Sequence, residues 1–176
     1  CIPGNAGTQK IAENIKEDIS DFYALYQIIK KHNIDLVIVG PEQPLVDGLV
    51  NYLNDKKIRV FGPDKFASQL EGSKAFMKNL CKKNNIPTAN FDVFNNFNDA
   101  SSFIKKNGVP IVVKADGLAA GKGVSVCTSI EEALTNTKEI LNGKFKSSNQ
   151  VVLEECLKGE ELSYFAIVDE NSYHFF

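Results

Sequence analysis

The amino-acid sequence predicts an α/β protein organised in two parts, and three features lead to this prediction. A short run at 35–39 lacks the alternation of a strand with one wet face, which favours a parallel strand covered on both faces, and a second short strand is predicted at 59–61. Helical repeats of apolar residues lie before and between these runs. After Thr88, short apolar runs alternate with two further helical segments. Because helix, strand, helix, strand is the order of an open parallel sheet, the first part is predicted to be one.

The helices of the first part are predicted from the spacing of their apolar side chains. Apolar residues recur at helical spacing over 21–31, and either Ser20 or Asp21 can cap the first turn. A second stripe over 44–54 predicts a helix between the two strands. A Gly-Pro pair ends each strand. Ligands of open α/β sheets lie beyond the carboxyl ends of the strands, where both of these turns are expected.

The second part begins with a helix that Ser73 can cap. Further helices are expected over 98–106 and 130–141, and Ser129 is placed to start a capping box for the latter. Short apolar runs predict strands at 91–94, 111–114, 124–127, 151–155 and 162–168. A turn at 169–171 is expected to lead into a last strand at 173–176. This order of strands and helices differs from that of the first part, which indicates a second domain.

Composition and charge limit the classes of partner. The chain has 176 residues, a net charge of −2 and a pI near 5.8, which argues against a nucleic acid recognised mainly by charge. No apolar run is long enough to span a bilayer, so no membrane partner is expected. The four cysteines lie far apart without the spacing of a zinc site, so no metal ligand is assigned and reduced thiols in the cytoplasm are expected. Arg59 is the only arginine, so phosphate contacts must come from lysines, backbone amides and helix N-termini.

The segment 110–127, PIVVKADGLAAGKGVSVC, carries the most informative chemistry. Lys114 ends an apolar run, where its charge needs a partner such as a bound phosphate. The loop that follows supplies Asp116, Gly117, Gly121, Lys122 and Gly123. Glycines let backbone N–H groups approach a polyphosphate closely. Val124 stands where a P-loop has a hydroxyl, so this is a different phosphate loop, and a plain mobile hairpin is the alternative.

Two further groups have the chemistry of nucleotide contacts. Lys74 lies just inside a helix start, where its ammonium and the helix dipole can act on one anion, and a solvated surface lysine is the alternative. The residues that close the strand at 151–155 and follow it are Glu154, Glu155, Cys156 and Leu157. Only one of the two glutamates can point into a cleft, because successive strand residues face opposite ways. The backbone there can bind a planar base and Glu161 can accept from ribose hydroxyls, while an acidic loop at a solvated edge is the alternative.

A second, polar pocket is predicted near the start of the chain. The turn at 3–8 has small side chains and is expected to expose its amides, and with the turn at 40–42 it can form a pocket for a phosphorylated sugar. The candidate residues are Asn5, Gly7, Thr8, Gly40, Pro41 and Glu42. Two ordinary loops are the alternative. Neither His32 nor His174 is assigned a role.

Six segments, in this order along the chain, resemble the glycinamide ribonucleotide synthetases (phosphoribosylamine–glycine ligases) of purine biosynthesis, which are ATP-grasp enzymes. They are PGNAGT (3–8), DLVIVGPEQPLVDGL (35–49), FGPDKFASQLEGSKAF (61–76), IPTA (86–89), PIVVKADGLAAGKGV (110–124) and VVLEECLKGEELS (151–163). Together they span nearly the whole chain. The lysine and glycine-loop segment resembles ATP-grasp proteins in general, whereas GPEQPL and LEGSKAF point to this family.

The resemblance implies a fold. An incomplete doubly wound N-terminal domain with a parallel sheet is expected at 1–63, and a linker with the start of an ATP-grasp domain at 64–87. The first part of the ATP-grasp domain, with its small α+β lid subdomain and the strands that follow, is expected at 88–176.

The resemblance also implies a reaction, in which glycine is joined to 5-phosphoribosylamine through a glycyl phosphate while ATP is cleaved to ADP and phosphate. The catalytic residues are then Lys74 and Lys114, which hold the ATP phosphates under a lid formed by the loop 117–123. The segment 154–157 lines the adenine, mainly through its backbone, and Glu161 binds the ribose. Asn5, Gly7, Thr8 and Glu42 are weaker candidates for the phosphoribosylamine side.

Two departures from the family pattern are apparent. The opening strand and turn that precede PGNAGT in the family are absent, and so is the half that carries the Mg²⁺ ligands and most of the glycine site. We therefore expect a portion of a longer protein that is inactive by itself. The alternatives are an ATP-grasp ligase of the carboxylase type, which activates bicarbonate, and a truncated, non-catalytic nucleotide-binding module.

Overall fold

The computed structural model describes residues 1–146, 148–169 and 171–176, and all elements below refer to these. The helices are α1 (Phe22–Lys31), α2 (Glu42–Asp47), α3 (Leu49–Asp55), α4 (Gln69–Gly72), α5 (Lys74–Lys83), α6 (Phe97–Asn107) and α7 (Ile130–Leu141), with a 3₁₀ turn at Thr8–Lys10. The strands are β1 (Val37–Ile38), β2 (Val60–Phe61), β3 (Phe91–Phe94), β4 (Ile111–Ala115), β5 (Val124–Cys127), β6 (Val151–Glu155), β7 (Ala166–Val168) and β8 (Tyr173–Phe175). The mixed α/β class is confirmed. None of the described helices has the length and hydropathy needed to cross a membrane.

The first part contains the predicted parallel strand pair. β1 and β2 run parallel, with Val37 opposite Val60. Helices α1 and α3 pack their buried leucines, isoleucine and valine against one face of this pair. The other face differs from the prediction, because Ile38 is 69 % exposed and Phe61 is also exposed. Within the described residues, the strands are therefore covered on one face rather than two.

The helix predicted over 44–54 is two helices instead of one. Gly48 separates α2 from α3 and adopts a left-handed conformation, with φ at +101°. Glycine reaches this region at little cost, and it ends a helix there as a C-terminal cap. At α1 the choice between Ser20 and Asp21 is resolved, since the Asp21 carboxylate accepts a hydrogen bond from the Ala24 amide at 2.9 Å.

The second part is an antiparallel sheet in the order β3-β6-β4-β5, with α6 and α7 packed on one face. Ile111, Val113 and Ala115 of β4 point into this helix-covered core. Because successive strand residues alternate, Val112 and Lys114 lie on the opposite face. On β6, Leu153 joins the core and Glu154 faces the same way as Lys114. This alternation places charged side chains on the face of the sheet turned away from α6 and α7.

The serine caps predicted at the starts of two helices are also confirmed. The Ser73 hydroxyl accepts from the Phe76 amide at 3.1 Å at the start of α5. Ser129 accepts from the Glu132 amide at 3.2 Å at the start of α7, and Glu132 accepts in turn from the Thr128 amide at 3.1 Å.

The last strands form an antiparallel hairpin, with Val168 opposite Tyr173. The strand predicted at 162–168 begins only at Ala166. The predicted turn at 169–171 includes residue 170, which lies outside the described residues.

Candidate functional site

Three charged side chains from separate elements meet on the face of the antiparallel sheet that is turned away from α6 and α7. In the register of β4 and β6, Val112 lies opposite Glu154, so Lys114 is the diagonal neighbour of Glu154 on the same face. The Lys114 Nζ is 2.8 Å from the Glu154 Oε2, and the Lys78 Nζ from α5 is 3.1 Å from the same oxygen. The side chains of Lys78 and Glu154 are each 4 % exposed, whereas that of Lys114 is 23 % exposed. The sequence predicted a phosphate partner for Lys114, but the partner seen in the structure is this carboxylate.

Lys78 is a residue that the sequence analysis missed. Its ammonium also donates to the Thr88 hydroxyl at 2.7 Å and to the Ala89 carbonyl at 3.3 Å, so its three donors all have acceptors. One signal was available in the sequence. Lys78 follows the buried Ala75 by three residues in the same helix, which places both on one helix face.

The two adjacent glutamates face opposite ways, as predicted. Glu154 is buried, and its Oε1 has no hydrogen-bond partner among the described residues. Glu155 is exposed and accepts from the backbone and side-chain amides of Asn90, at 3.0 and 2.9 Å. These hydrogen bonds lower the pKa of Glu155, and the one from the Asn90 backbone amide has the larger effect. A buried carboxylate oxygen without a donor is costly, so Glu154 is suited to a ligand that brings an N–H group.

Lys74 occupies the first position of α5, beside the glycine loop. Its ammonium donates to the Gly117 carbonyl at 2.9 Å. Burial lowers the pKa of Lys74, and the nearby Lys114 ammonium contributes in the same direction, while Asp116 opposes the shift. That Lys74 and Lys114 act on one anion stays a prediction.

Lys74 and the glycine loop line a cleft of about 840 Å³. The residues that share this cleft with Lys74 are Glu42, Gln43, Glu71, 117–124 and 144–146. The predicted loop glycines 117, 121 and 123 and Lys122 are therefore together with Lys74. Glu42 was predicted to bind sugar, and the structure places it on the wall of this same cleft.

Asp116 holds the start of α5 against the base of the glycine loop. One carboxylate oxygen accepts from the buried Ala75 amide at 3.0 Å, and the other from the Gln150 side-chain amide at 2.7 Å. The Ser73 hydroxyl lies 3.1 Å from both oxygens. The sequence suggested a nucleotide contact for Asp116. In the structure its oxygens bind the protein itself, so it positions Lys74, and direct contact with a ligand stays a prediction.

The glycine loop has a backbone shape that depends on its small residues. Gly121 has a φ of +75°, in the left-handed region. A Cβ added to Gly123 would lie 2.6 Å from the Ala119 Cβ, well inside contact distance. The Lys122 amide donates to the Ala119 carbonyl at 2.9 Å, which closes the turn. The loop is therefore a defined structure that packs tightly at its base.

The remaining candidate residues are more exposed. Cys156, Leu157 and Glu161 lie after the end of β6, half-buried or exposed, and their assignment to the base and ribose stays a prediction. The turn at 3–8 differs from expectation, because the Asn5 Oδ1 accepts from the amides of Gly7 at 2.8 Å and Thr8 at 3.0 Å. These amides are satisfied within the turn, as is usual when asparagine mimics a backbone acceptor.

The turn at 40–42 is divided between two cavities. Pro41 lines a separate apolar cavity of about 370 Å³ that Ile2 also lines. Gly40 has open space around its α-carbon, and Glu42 faces the cleft of Lys74. Among the described residues, no group of three or more histidine, cysteine, aspartate or glutamate side chains is arranged to hold a metal ion.

The second part thus has an antiparallel sheet with a lysine at a strand end, a glycine loop between two strands and a second lysine at a helix start, and its class is that of the ATP-grasp proteins. Comparison with known families agrees. The model described as "Phosphoribosylglycinamide synthetase, ATP-grasp (A) domain" matches residues 72–176, and that described as "Phosphoribosylglycinamide synthetase, N domain" matches residues 1–71. The chain belongs to the phosphoribosylglycinamide synthetase family.

Individual relatives support this assignment. The chain is 49 % identical over 170 residues to the phosphoribosylamine–glycine ligase of Brucella melitensis, covering 96 % of this chain and 40 % of the relative. It is 51 % identical over 174 residues to the chloroplastic phosphoribosylamine–glycine ligase of Arabidopsis thaliana, covering 96 % of this chain and 33 % of the relative. The crystal structure of phosphoribosylamine–glycine ligase from Thermotoga maritima is similar with a TM-score of 0.79 and 32 % identity, covering 99 % of this chain and 41 % of that one. The chain thus spans about 40 % or less of the length of these relatives.

Proposed function

We propose that the full-length protein joins glycine to 5-phosphoribosylamine and cleaves ATP to ADP and phosphate, as a ligase of purine biosynthesis. The names of the relatives and both family models support this proposal over a ligase of the carboxylase type. One structural observation supports it most directly. Lys74 and Lys114 come from different elements that both adjoin the glycine loop, since Lys74 donates to the Gly117 carbonyl at 2.9 Å and Lys114 lies near the end of β4, which leads into the loop.

The residues present fit a nucleoside triphosphate. The Lys74 ammonium and the glycine loop line the cleft, and the Lys114 ammonium at the end of the neighbouring strand is assigned to the same phosphates, because lysine binds phosphate as a point charge. The unpartnered Glu154 Oε1 can accept from an amino group such as that of adenine. We assign the base to the segment 154–157 and the ribose to Glu161.

The role of this chain in the reaction is positioning and charge neutralisation. ATP supplies the phosphate that turns the carboxylate of glycine into a good electrophile, a glycyl phosphate that the sugar amine captures. Lys74 and Lys114 hold the phosphates and neutralise the negative charge during phosphoryl transfer. The loop 117–123 excludes water from the reacting groups when it closes. Such a reaction requires no nucleophile from the protein.

Candidate residues are assigned to phosphoribosylamine, whereas none is assigned to the metal ion. Glu42 lines the same cleft as the loop, and we assign it to the amine of phosphoribosylamine. Asn5, Gly7, Thr8, Gly40 and Pro41 remain candidates for its sugar phosphate. We expect Mg²⁺ to accompany ATP, but the described residues offer no acidic cluster for it, so no step is derived through the metal. We place the domain boundary within 64–87 and the protein in the cytoplasm, without nucleic-acid or membrane partners.

A steady-state assay of the full-length protein tests the proposed function. ADP release is measured with ATP and Mg²⁺ in the presence of glycine plus phosphoribosylamine, of glycine alone, and of bicarbonate. We expect rapid ADP release only with glycine and phosphoribosylamine together. Release that requires bicarbonate would indicate a ligase of the carboxylase type. Nucleotide binding without any turnover would indicate a non-catalytic module.

A further inference from the structure

The cluster of Lys78, Glu154 and Lys114 contains more charge than simple pairing requires. Both ammonium groups lie within 3.1 Å of the same carboxylate oxygen, so the cluster carries a net single positive charge. Only Lys114 is open to the site, with 23 % of its side chain exposed. The two other members are almost completely buried. The excess positive charge is therefore presented at Lys114, where the phosphates of a nucleotide are proposed to bind.

The Lys78 ammonium is fixed by contacts to three acceptors of the protein. Its three donors point at the Thr88 hydroxyl, the Ala89 carbonyl and the Glu154 carboxylate. These acceptors come from two segments of the chain, and together they fix the position of the ammonium. Burying charged groups costs desolvation energy, and apolar side chains of similar size are often as stable in the same place. We therefore look for a role of this three-residue charged cluster other than stabilising the fold.

We propose that Lys78 is a positioning residue for Lys114. Lys78 takes up the charge of Glu154, so that Glu154 orients the Lys114 ammonium without neutralising it. Without Lys78, the carboxylate would pair with Lys114 alone, and the attraction between Lys114 and a phosphate would be largely cancelled. This inference rests on the proposed nucleotide site and goes beyond it, because Lys78 is buried and its three donors are taken up by the protein itself.

A purely structural role for Lys78 is the competing explanation, and a double substitution separates the two. Binding of ADP with Mg²⁺ is measured by calorimetry on the full-length wild type and on K78M, K78R, E154Q and K78M/E154Q. We expect K78M to weaken ADP binding about tenfold or more, the equivalent of one charge-assisted hydrogen bond. K78R keeps the charge, so its affinity is expected to remain much closer to that of the wild type. Adenosine binding is measured on the same variants, because it reports the base contact assigned to the segment 154–157 without the phosphates. In K78M/E154Q the carboxylate charge is also gone, so the ratio of ADP to adenosine affinity should return most of the way to that of the wild type.

Each outcome distinguishes this inference from the proposed function. If the wild type does not bind ADP, the nucleotide site itself is wrong. If the wild type binds ADP and K78M binds it equally well, only the role of Lys78 is refuted. If K78M/E154Q has the same lowered ratio of ADP to adenosine affinity as K78M, Lys78 acts through the fold instead of through charge.

Kinetics and a second variant give further checks. K78M is expected to raise KM for ATP while leaving KM for glycine unchanged, and equal effects on both would contradict the proposal. If K78M does not fold, E154Q alone is decisive. It frees Lys114 from the carboxylate but can also change the assigned base contact of Glu154, so ADP affinity is compared with adenosine affinity. The ratio of ADP to adenosine affinity should equal or exceed that of the wild type, and a tenfold fall in this ratio would overturn the inference.

Discussion

Replacing Asp116 by alanine tests how the glycine loop and α5 are held together. The substitution removes the acceptor for three donors, which are the Ala75 amide, the Ser73 hydroxyl and the Gln150 side chain. The Ala75 amide is buried and cannot turn to water, so leaving it unsatisfied costs about 1–3 kcal/mol, and the two other hydrogen bonds add about 0.5–1.5 kcal/mol each. Since their donors can partly find water, we expect the free energy of unfolding to fall by about 2–4 kcal/mol.

Urea denaturation of the full-length protein, followed by circular dichroism, measures this change. D116N should cost roughly half as much, because its amide oxygen still accepts from Ala75 but the charge is lost. D92A is a matched control, since Asp92 is an exposed aspartate on β3. ADP affinity should also fall in D116A, because Lys74 loses its support. A loss of stability below about 0.5 kcal/mol, similar to that of D92A, would refute the account of this contact.

Three further predictions concern the loop, the lysine at its side and a helix cap. G123A should weaken ADP binding and lower the free energy of unfolding by about 1–3 kcal/mol, because its methyl group overlaps Ala119. G159A is the control, because open space surrounds that position and neither quantity should change. Calorimetry measures ADP binding, and denaturation measures stability. Burial lowers the pKa of Lys74, so Lys74 loses its charge and ADP affinity should fall as pH rises through that lowered value. Over the same pH range the unfolded state binds more protons than the folded state, so the contribution of Lys74 to the free energy of unfolding should rise with pH. ADP affinity and melting temperature are measured over a series of pH values, and a rise or a fall of both over this range would contradict the prediction. S129A should lower stability by about 0.5–2 kcal/mol without changing ADP affinity, since it removes the cap of α7, and a change in affinity would contradict it.

Local patterns in the sequence were sufficient to predict much of the fold. Ser73 and Ser129 cap the helices that follow them, because capping depends on residues only a few positions apart. The opposite orientations of Glu154 and Glu155 follow from the alternation of a strand. Such features need no knowledge of distant contacts.

Features that depend on distant residues were not predicted. Lys78 is buried because β6 brings Glu154 beneath it, and no local pattern shows that a lysine of an amphipathic helix will face such a carboxylate. The ion pair of Lys114 with the same glutamate was not predicted either, and the phosphate contact of Lys114 stays a prediction. The split of one predicted helix at Gly48 also depended on a backbone conformation that helical periodicity cannot reveal.

The exposed face of the parallel strands shows a related limit. A run without alternation, such as 35–39, indicates that both faces of a strand can be buried. It does not indicate which residues cover them. In the described residues, α1 and α3 cover one face and Ile38 stays open on the other.

The steady-state kinetics of Lys114→Ala in the full-length protein test the central claim most directly, which is that this lysine holds the phosphates of ATP. The substitution removes a charge-assisted contact, so kcat/KM for ATP should fall by a factor that corresponds to at least about 2 kcal/mol. Circular dichroism confirms that the variant is folded. A folded variant with unchanged kcat/KM for ATP would contradict the proposed nucleotide site.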